Sequence, residues 1–163
     1  MFGFRLNSHR RFMIALYLGA LVVMCDQLSK WWLLNVAMQP PQVMPVTKFL
    51  NLVLVWNKGV TFGLLNKLDH RLMTYFLVVV AAIILFFLGR WLWKTSSTLV
   101  AVGLGMVMGG AIGNVLDRLR FGAVTDFLDF YYQDYHWYAF NIADAAICTG
   151  VGLLLLDSLV RGK

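Results

Sequence analysis

Glutamate is missing altogether: all eight acidic residues among the 163 are Asp. Charged residues make up only 13% of the chain, against about 25% in a soluble domain. That is too little polar surface for a water-soluble fold. Cysteine is scarce as well, with Cys25 and Cys148 each inside an apolar segment. Two buried thiols are expected there, with no disulfide. The three histidines, His9, His70 and His136, stand alone, and no CxxC occurs. Nothing in this pattern has zinc spacing, and no glycine loop of the phosphate-binding kind follows a strand. No metal or cofactor is expected. Long internal repeats and low-complexity tracts are also absent. The net charge of +6 comes from scattered residues, with no basic stripe on any amphipathic stretch. Nucleic acid is therefore not the expected partner.

What is present is apolar. The chain is 60% hydrophobic with mean hydropathy +0.71, which points to a polytopic membrane protein. Four runs are long enough to span, at about residues 12–34, 71–93, 98–116 and 138–160. The expected architecture is an all-α membrane protein with a small β element. It is a four-helix transmembrane bundle forming one domain over residues 1–163. The first run resembles a signal peptide in its basic start, but it lacks an A-x-A-like cleavage site and is expected to remain. Trp31, Trp32, Trp91, Trp93, Trp137 and Tyr138 fall near the proposed span ends, where aromatic belts sit.

Two segments lie between spans and carry most polar residues, 35–70 and 117–137. Pro40, Pro41 and Pro45 break any helix in the first. Val46 to Asn57 is rich in β-branched and aromatic residues and predicts a strand. Asn57-Lys58-Gly59 predicts a turn, and residues 60–62 a returning strand. Residues 117–137, rich in Asp and Tyr, read as a surface loop. With four spans both termini lie on one side. That side holds seven basic residues and one acid, crowded into short segments; the other holds seven of each. The positive-inside rule then makes both termini cytoplasmic. The small sheet, the loop and the polar residues face the exterior at the membrane surface.

Gly105, Gly109 and Gly113 recur every fourth residue, so one face of the third helix offers close packing. Polarity then arrives at Asn114, Asp117, Arg118 and Arg120. Asp126 and Asp144 each sit among apolar neighbours, and Asn141, three before Asp144, shares its helix face. Ionisable groups at membrane depth are expensive and tend to serve function. Two carboxylates at short range hold one proton between them, which supplies a general acid and a general base. Each of these two Asp could equally be a helix cap or an Arg partner. Asp117 reads most simply as an ion-pair partner of Arg118 or Arg120, and Asp129 and Asp134 as solvated. Asp26 and Lys30, four apart with the acid first, form either a self-neutralised interfacial pair, with Lys30 snorkelling, or a functional one. A small proton-coupled carrier and a non-catalytic assembly factor are the rival classes. A carrier places such groups near mid-membrane, often within repeats.

Five motifs in order, DQLSK (26–30), NKGVTFG (57–63), GNVLDR (113–118), VTDF (124–127) and FNIAD (140–144), resemble those of lipoprotein signal peptidases, the signal peptidase II family. The resemblance implies an aspartic endopeptidase of the bacterial inner membrane, active on its extracytoplasmic side. It implies prolipoprotein substrates cut just before a cysteine that carries a diacylglyceryl group. Asp126 and Asp144 are then the catalytic pair. Asn57, Gly59, Asn114, Arg118 and Asn141 line the site, with Asp26, Lys30 and Asp117 in support. It also implies membrane lipids as surroundings, inhibition by the cyclic peptide globomycin, and a monomer. Val60 and Thr61 stand where the family often has small residues, and Thr125 where a β-branched apolar residue is common.

Overall fold

A computed structural model describes residues 8–59 and 70–161. Four helices in it are long and apolar enough to cross a membrane. They are α1 (Ser8–Trp32), α2 (His70–Lys94), α3 (Thr98–Phe121) and α4 (Ile142–Arg161). At 1.5 Å per residue, 20 to 25 residues match a hydrocarbon layer of about 30 Å. Large apolar side chains such as Leu16, Phe76, Phe87 and Leu155 point outward, as a lipid-facing surface requires.

Helix α3 is the hub. In its most apolar stretch 56% of residues are buried, against 6% for α2, 11% for α1 and 22% for α4. The glycines explain this. A Cβ on Gly105 would lie 2.6 Å from the Ala15 carbonyl oxygen, and one on Gly109 would lie 2.6 Å from that of Gly19. Only glycine lets α1 come so near. A second face, through Gly103 and Gly110, receives α4 at Gly150 and Ala143. In lipid, where hydrophobic transfer drives nothing, such backbone approach supplies the packing.

The connection from α2 to α3 is short, and the two helices pack as neighbours. Ser97 caps α3 by accepting from Val100 N at 3.2 Å and donates to Asp157 Oδ1 at 2.5 Å. Arg161 Nε lies 3.0 Å from the same Asp157 oxygen. This cluster ties the turn to the last stretch of α4, at the end of the bundle where α1 begins and α4 finishes.

The other end carries an antiparallel sheet of four strands in the order β1-β2-β3-β4. They are β1 (Met44–Thr47), β2 (Leu50–Asn57), β3 (Val124–Tyr132) and β4 (Tyr135–His136). Strand β3 pairs with β2, aligning Val55 with Asp126 and Asn57 with Val124. Beneath it Leu33, Met38 and Phe127 form a small buried core, flanked by Leu52, Leu54 and Ile142. A π-helical turn, Leu33–Ala37, carries Leu33 there from the end of α1. Phe130 stacks between Phe49 and Phe140 at centroid distances of 6.2 and 5.8 Å, linking the β1–β2 turn to the approach of α4.

Several expectations are corrected. Val46 to Asn57 is a hairpin rather than one strand: the chain turns at Lys48 and Phe49, and Pro45 is tolerated because β1 is an edge. Residues 117–137 are not a loop: α3 runs to Phe121, Gly122 closes it in the left-handed region at φ 72°, and β3 follows. The fourth helix starts at Ile142 rather than near 138, because Asn141 caps it. Cys25 and Cys148 are free as expected but exposed rather than buried. The expected strand at 60–62 lies outside the described residues.

Candidate active site

The sheet end of the bundle gathers the end of β2, the last turns of α3, the start of β3 and the first turn of α4. Asn141 is the joint. Its Oδ1 accepts from Asp144 N at 2.9 Å, while Asp144 Oδ2 accepts from Asn141 N at 3.2 Å. This reciprocal pair is a capping box, and it places Asp144 in the first turn of α4 rather than deeper in the span. The Asn141 Nδ2 amide is thereby turned toward β3. It donates to Asp126 Oδ1 at 2.7 Å and to Asn114 Oδ1 at 3.2 Å. Asn114 in turn donates to Asp144 Oδ1 at 2.8 Å.

Asp126 is 2% exposed on β3. Its other oxygen, Oδ2, accepts from Asn57 Nδ2 at 3.0 Å. Asn57 is held by a turn of its own: its Oδ1 accepts from Gly59 N at 2.8 Å, and Gly59 sits at φ 76°. Burial pushes the Asp126 carboxyl up to about 6. The Asn57 amide opposes this, the Asp144 charge adds to it, and Asn141 and Lys30 oppose it again. Asp144 is half-buried and is the more open of the two.

Behind this pair lies a dry ionic cluster. Lys30, 2% exposed, places Nζ 2.8 Å from Asp26 Oδ2 and 3.0 Å from Asp117 Oδ2. The same ammonium reaches Asn114 Oδ1 at 3.4 Å. Asp26 Oδ1 accepts from Ala143 N at 3.0 Å, in the first turn of α4. Asp117 Oδ2 also accepts from Thr125 N at 2.9 Å, fixing the strand one residue before Asp126. Asp26 fits because Gly113 has no side chain: a Cβ there would be 2.7 Å from Asp26 Oδ2. One cation thus locks α1, α3, α4 and β3 around the two carboxylates.

All ten residues singled out in the sequence gather here, though not always as expected. Asp117 pairs with Lys30 and accepts from Gln27 Nε2 at 3.0 Å, while Arg120 donates to Gln27 Oε1 at 3.0 Å. Lys30 does not snorkel; it is buried among its partners. Arg118 Nη1 lies 3.4 Å from the Asn114 carbonyl, and its Nε is buried without a partner among the described residues. Gly59 lies beside it, 4.0 Å from Arg118 Nη2 to the position a Cβ would take. Gln27 was missed as a partner, although it lies inside the first motif. Asp129 was read as solvated, yet it is buried, accepting from Asn51 Nδ2 at 3.2 Å with His136 Nδ1 at 2.9 Å. Val60 and Thr61 lie outside the described residues. Among the described residues no group of three or more His, Cys or Asp is disposed to hold a metal ion.

Apolar helices around one polar, acid-bearing end define the class: a multi-pass membrane protein with a cluster of buried polar and acidic side chains at one end of its bundle. A family model described as signal peptidase (SPase) II matches residues 18–160. The chain belongs to the signal peptidase II family; it is a peptidase, and its family removes signal peptides from prolipoproteins. Among its relatives is a lipoprotein signal peptidase of Solibacter usitatus, 44% identical over 149 residues, covering 89% of each chain. Another, from Syntrophotalea carbinolica, is 41% identical and covers 90% of this chain and 91% of its own. A bacterial membrane enzyme solved by the in meso method has the same fold, with TM-score 0.78 and 27% identity, covering 91% of this chain and 94% of its own.

Proposed function

We propose that the chain, acting as a single-domain monomer, is an aspartic endopeptidase for prolipoproteins whose cysteine carries a diacylglyceryl group. It cuts just before that cysteine. The observation that carries this reading is the shared partner: Asn141 donates to Asp126 and exchanges two bonds with Asp144. Two carboxylates held by one residue, through its side chain and its backbone N–H, can serve one water molecule and one peptide bond.

Like charges at short range in a dry site do not both ionise, so the pair retains a proton. Burial holds the Asp126 carboxyl up at about 6, which suits it to the role of the acid. In the proposed reaction Asp126 donates to the scissile carbonyl oxygen. Asp144, open to solvent on one side, takes a proton from water as its oxygen attacks the carbonyl carbon. As the carbon–nitrogen bond breaks, the proton on Asp144 passes to the leaving amine, and a hydroxyl of the tetrahedral intermediate returns its proton to Asp126 as the new carboxyl group forms. That amine is the α-amino group of the lipidated cysteine. No covalent intermediate is required.

Asn57, Asn114 and Asn141 spend their amides on the carboxylates, so their first role is to hold them in place. Arg118, with an unused Nε among the described residues, and Gly59 beside it are the groups left to meet the substrate backbone. Asp26, Lys30 and Asp117 support the arrangement from behind. The acyl chains in the bilayer and the signal helix beside the spans would deliver the scissile bond, and such orientation lowers the barrier substantially. Globomycin is expected to compete at the same place. The charge balance of the two ends supports a bacterial inner-membrane protein with cytoplasmic termini and an extracytoplasmic sheet and site.

The test uses purified protein with a lipidated precursor and the same precursor unlipidated, each product weighed by mass spectrometry. Cleavage of the lipidated form alone, with the modified cysteine as the new N-terminus, is expected. Equal cleavage of both forms, or cleavage elsewhere, would overturn the reading.

A further inference from the structure

Three asparagine amides surround the two carboxylates, and each points its N–H end at one of them. The two ends of an amide are alike in shape and opposite in polarity, so a neighbour has to fix which way each is turned. For Asn57 and Asn141 the main chain does this. Asn57 Oδ1 accepts from Gly59 N at 2.8 Å, and Asn141 Oδ1 accepts from Asp144 N at 2.9 Å. A backbone N–H can only donate, so each oxygen is pinned and each Nδ2 is left for a carboxylate.

Asn114 is placed differently. It lies inside α3, where the surrounding backbone N–H groups belong to the helix. Among the described residues its Oδ1 accepts only from side chains, Asn141 Nδ2 at 3.2 Å and Lys30 Nζ at 3.4 Å. Of these two, only the ammonium is unable to accept, whichever way it turns. Its own place is fixed, because Asp26 Oδ2 and Asp117 Oδ2 hold Nζ at 2.8 and 3.0 Å. An ammonium has three donors, and Asp26, Asp117 and Asn114 are three acceptors. None is left over for a substrate.

With its oxygen turned to Lys30, Asn114 presents Nδ2 to Asp144 Oδ1 at 2.8 Å. The opposite orientation would set N–H against ammonium on one side and oxygen against carboxylate on the other. Asp144 could sit there only as the protonated acid, unable to take a proton from water.

We infer that Lys30 is a positioning residue for the reaction: its ammonium fixes the direction of the Asn114 amide and thereby holds Asp144 ready as the base. In this role Lys30 stands in for the backbone N–H that directs each of the other two amides. The inference rests on the peptidase reading above, since it names a working part of that site.

The experiment is a double-mutant cycle on cleavage of the lipidated precursor by purified full-length protein, read as kcat and KM below the unfolding transition of each variant. Lys30→Met should lower kcat roughly a hundredfold and leave KM within about threefold, because the cation never meets the substrate. In an Asn114→Ala background the same change should cost about fivefold or less, because the amide it directs is gone. Ser97→Ala, which removes the α3 cap at the far end of the bundle, should lower Tm and leave kcat within about twofold. If Lys30→Met does not fold, Lys30→Met with Asp117→Asn takes its place, since that pair leaves the net charge of the cluster unchanged. A folded variant that keeps kcat within about threefold of the wild type would overturn the inference and leave the cluster a structural role alone. An equal loss in both backgrounds would overturn it too, as would a loss carried by KM. Those results leave the peptidase reading standing, whereas wild-type protein that leaves the lipidated precursor uncut would overturn that reading and this inference with it.

Discussion

Replacing Asp126 by Asn tests the electrostatics of the site without reference to turnover. Asp126 is buried, and its carboxyl is pushed up to about 6 from an ordinary 3.8. The folded protein therefore binds this proton more tightly than the unfolded chain does. Stability from this group grows as pH falls through about 6, and it is lost as pH rises above that value. Between pH 8 and pH 5 the change amounts to about 1.5 kcal/mol for a shift of this size. Asn cannot titrate, so the variant lacks this component. It carries a different penalty: its amide must face one of the two donors from Asn57 and Asn141 that Asp126 now accepts. That penalty, about 1–3 kcal/mol, does not vary with pH. The prediction thus concerns the slope. Thermal unfolding in detergent at pH 8, 7, 6 and 5 should show the Tm of the wild type rising relative to Asp126→Asn as pH falls. The total relative rise should be about 3–6 °C for a chain of this size. A Tm difference that stays constant, or that moves the other way, would refute the claim that burial controls this carboxyl.

The remaining predictions concern packing and the ionic cluster. Lys30→Met leaves Asp26 and Asp117 buried without their cation and should destabilise by about 3–5 kcal/mol, seen as a Tm loss on the order of 10 °C. Gly109→Ala should lower Tm by forcing α1 and α3 apart, whereas Gly89→Ala, with open space around it, should leave Tm level or slightly higher. Thr125→Val removes a fully buried hydroxyl that has no partner among the described residues, and should raise Tm by a few degrees, for about 1 kcal/mol or more.

The helices were legible because lipid demands it: a spanning segment must be apolar for its whole length, and nothing else in the chain is. The spacing of Gly105 and Gly109 read correctly for the same reason, since small residues at that period let a helix backbone approach, whereas Gly113 makes room for the Asp26 carboxylate. Asn141 and Asp144 were legible as sharing a face, but a cap stood only as one alternative for Asp144, because a cap depends on where the helix begins. Strand β3 was hidden by its own burial. Val124 to Phe127 are buried on both faces, so the alternation that marks a strand is erased, and two Asp lower its apparent propensity. The partner of Asp117 was out of reach of local reasoning: Arg118 and Arg120 are adjacent in the chain, but Lys30 arrives from another helix. Asp129 was misread because its partners, Asn51 and His136, come from strands on either side that the sequence did not reveal as neighbours.

The most direct measurement is kcat/KM on a lipidated precursor for Asp126→Asn, Asp144→Asn and the double variant, each checked for an intact fold by its unfolding transition. If the two carboxylates work as one unit, each single replacement removes nearly all activity, roughly a thousandfold or more, and the second adds little to the first. Losses that multiply, or a single variant that stays within about tenfold of the wild type, would mean that the two acids do not share the reaction.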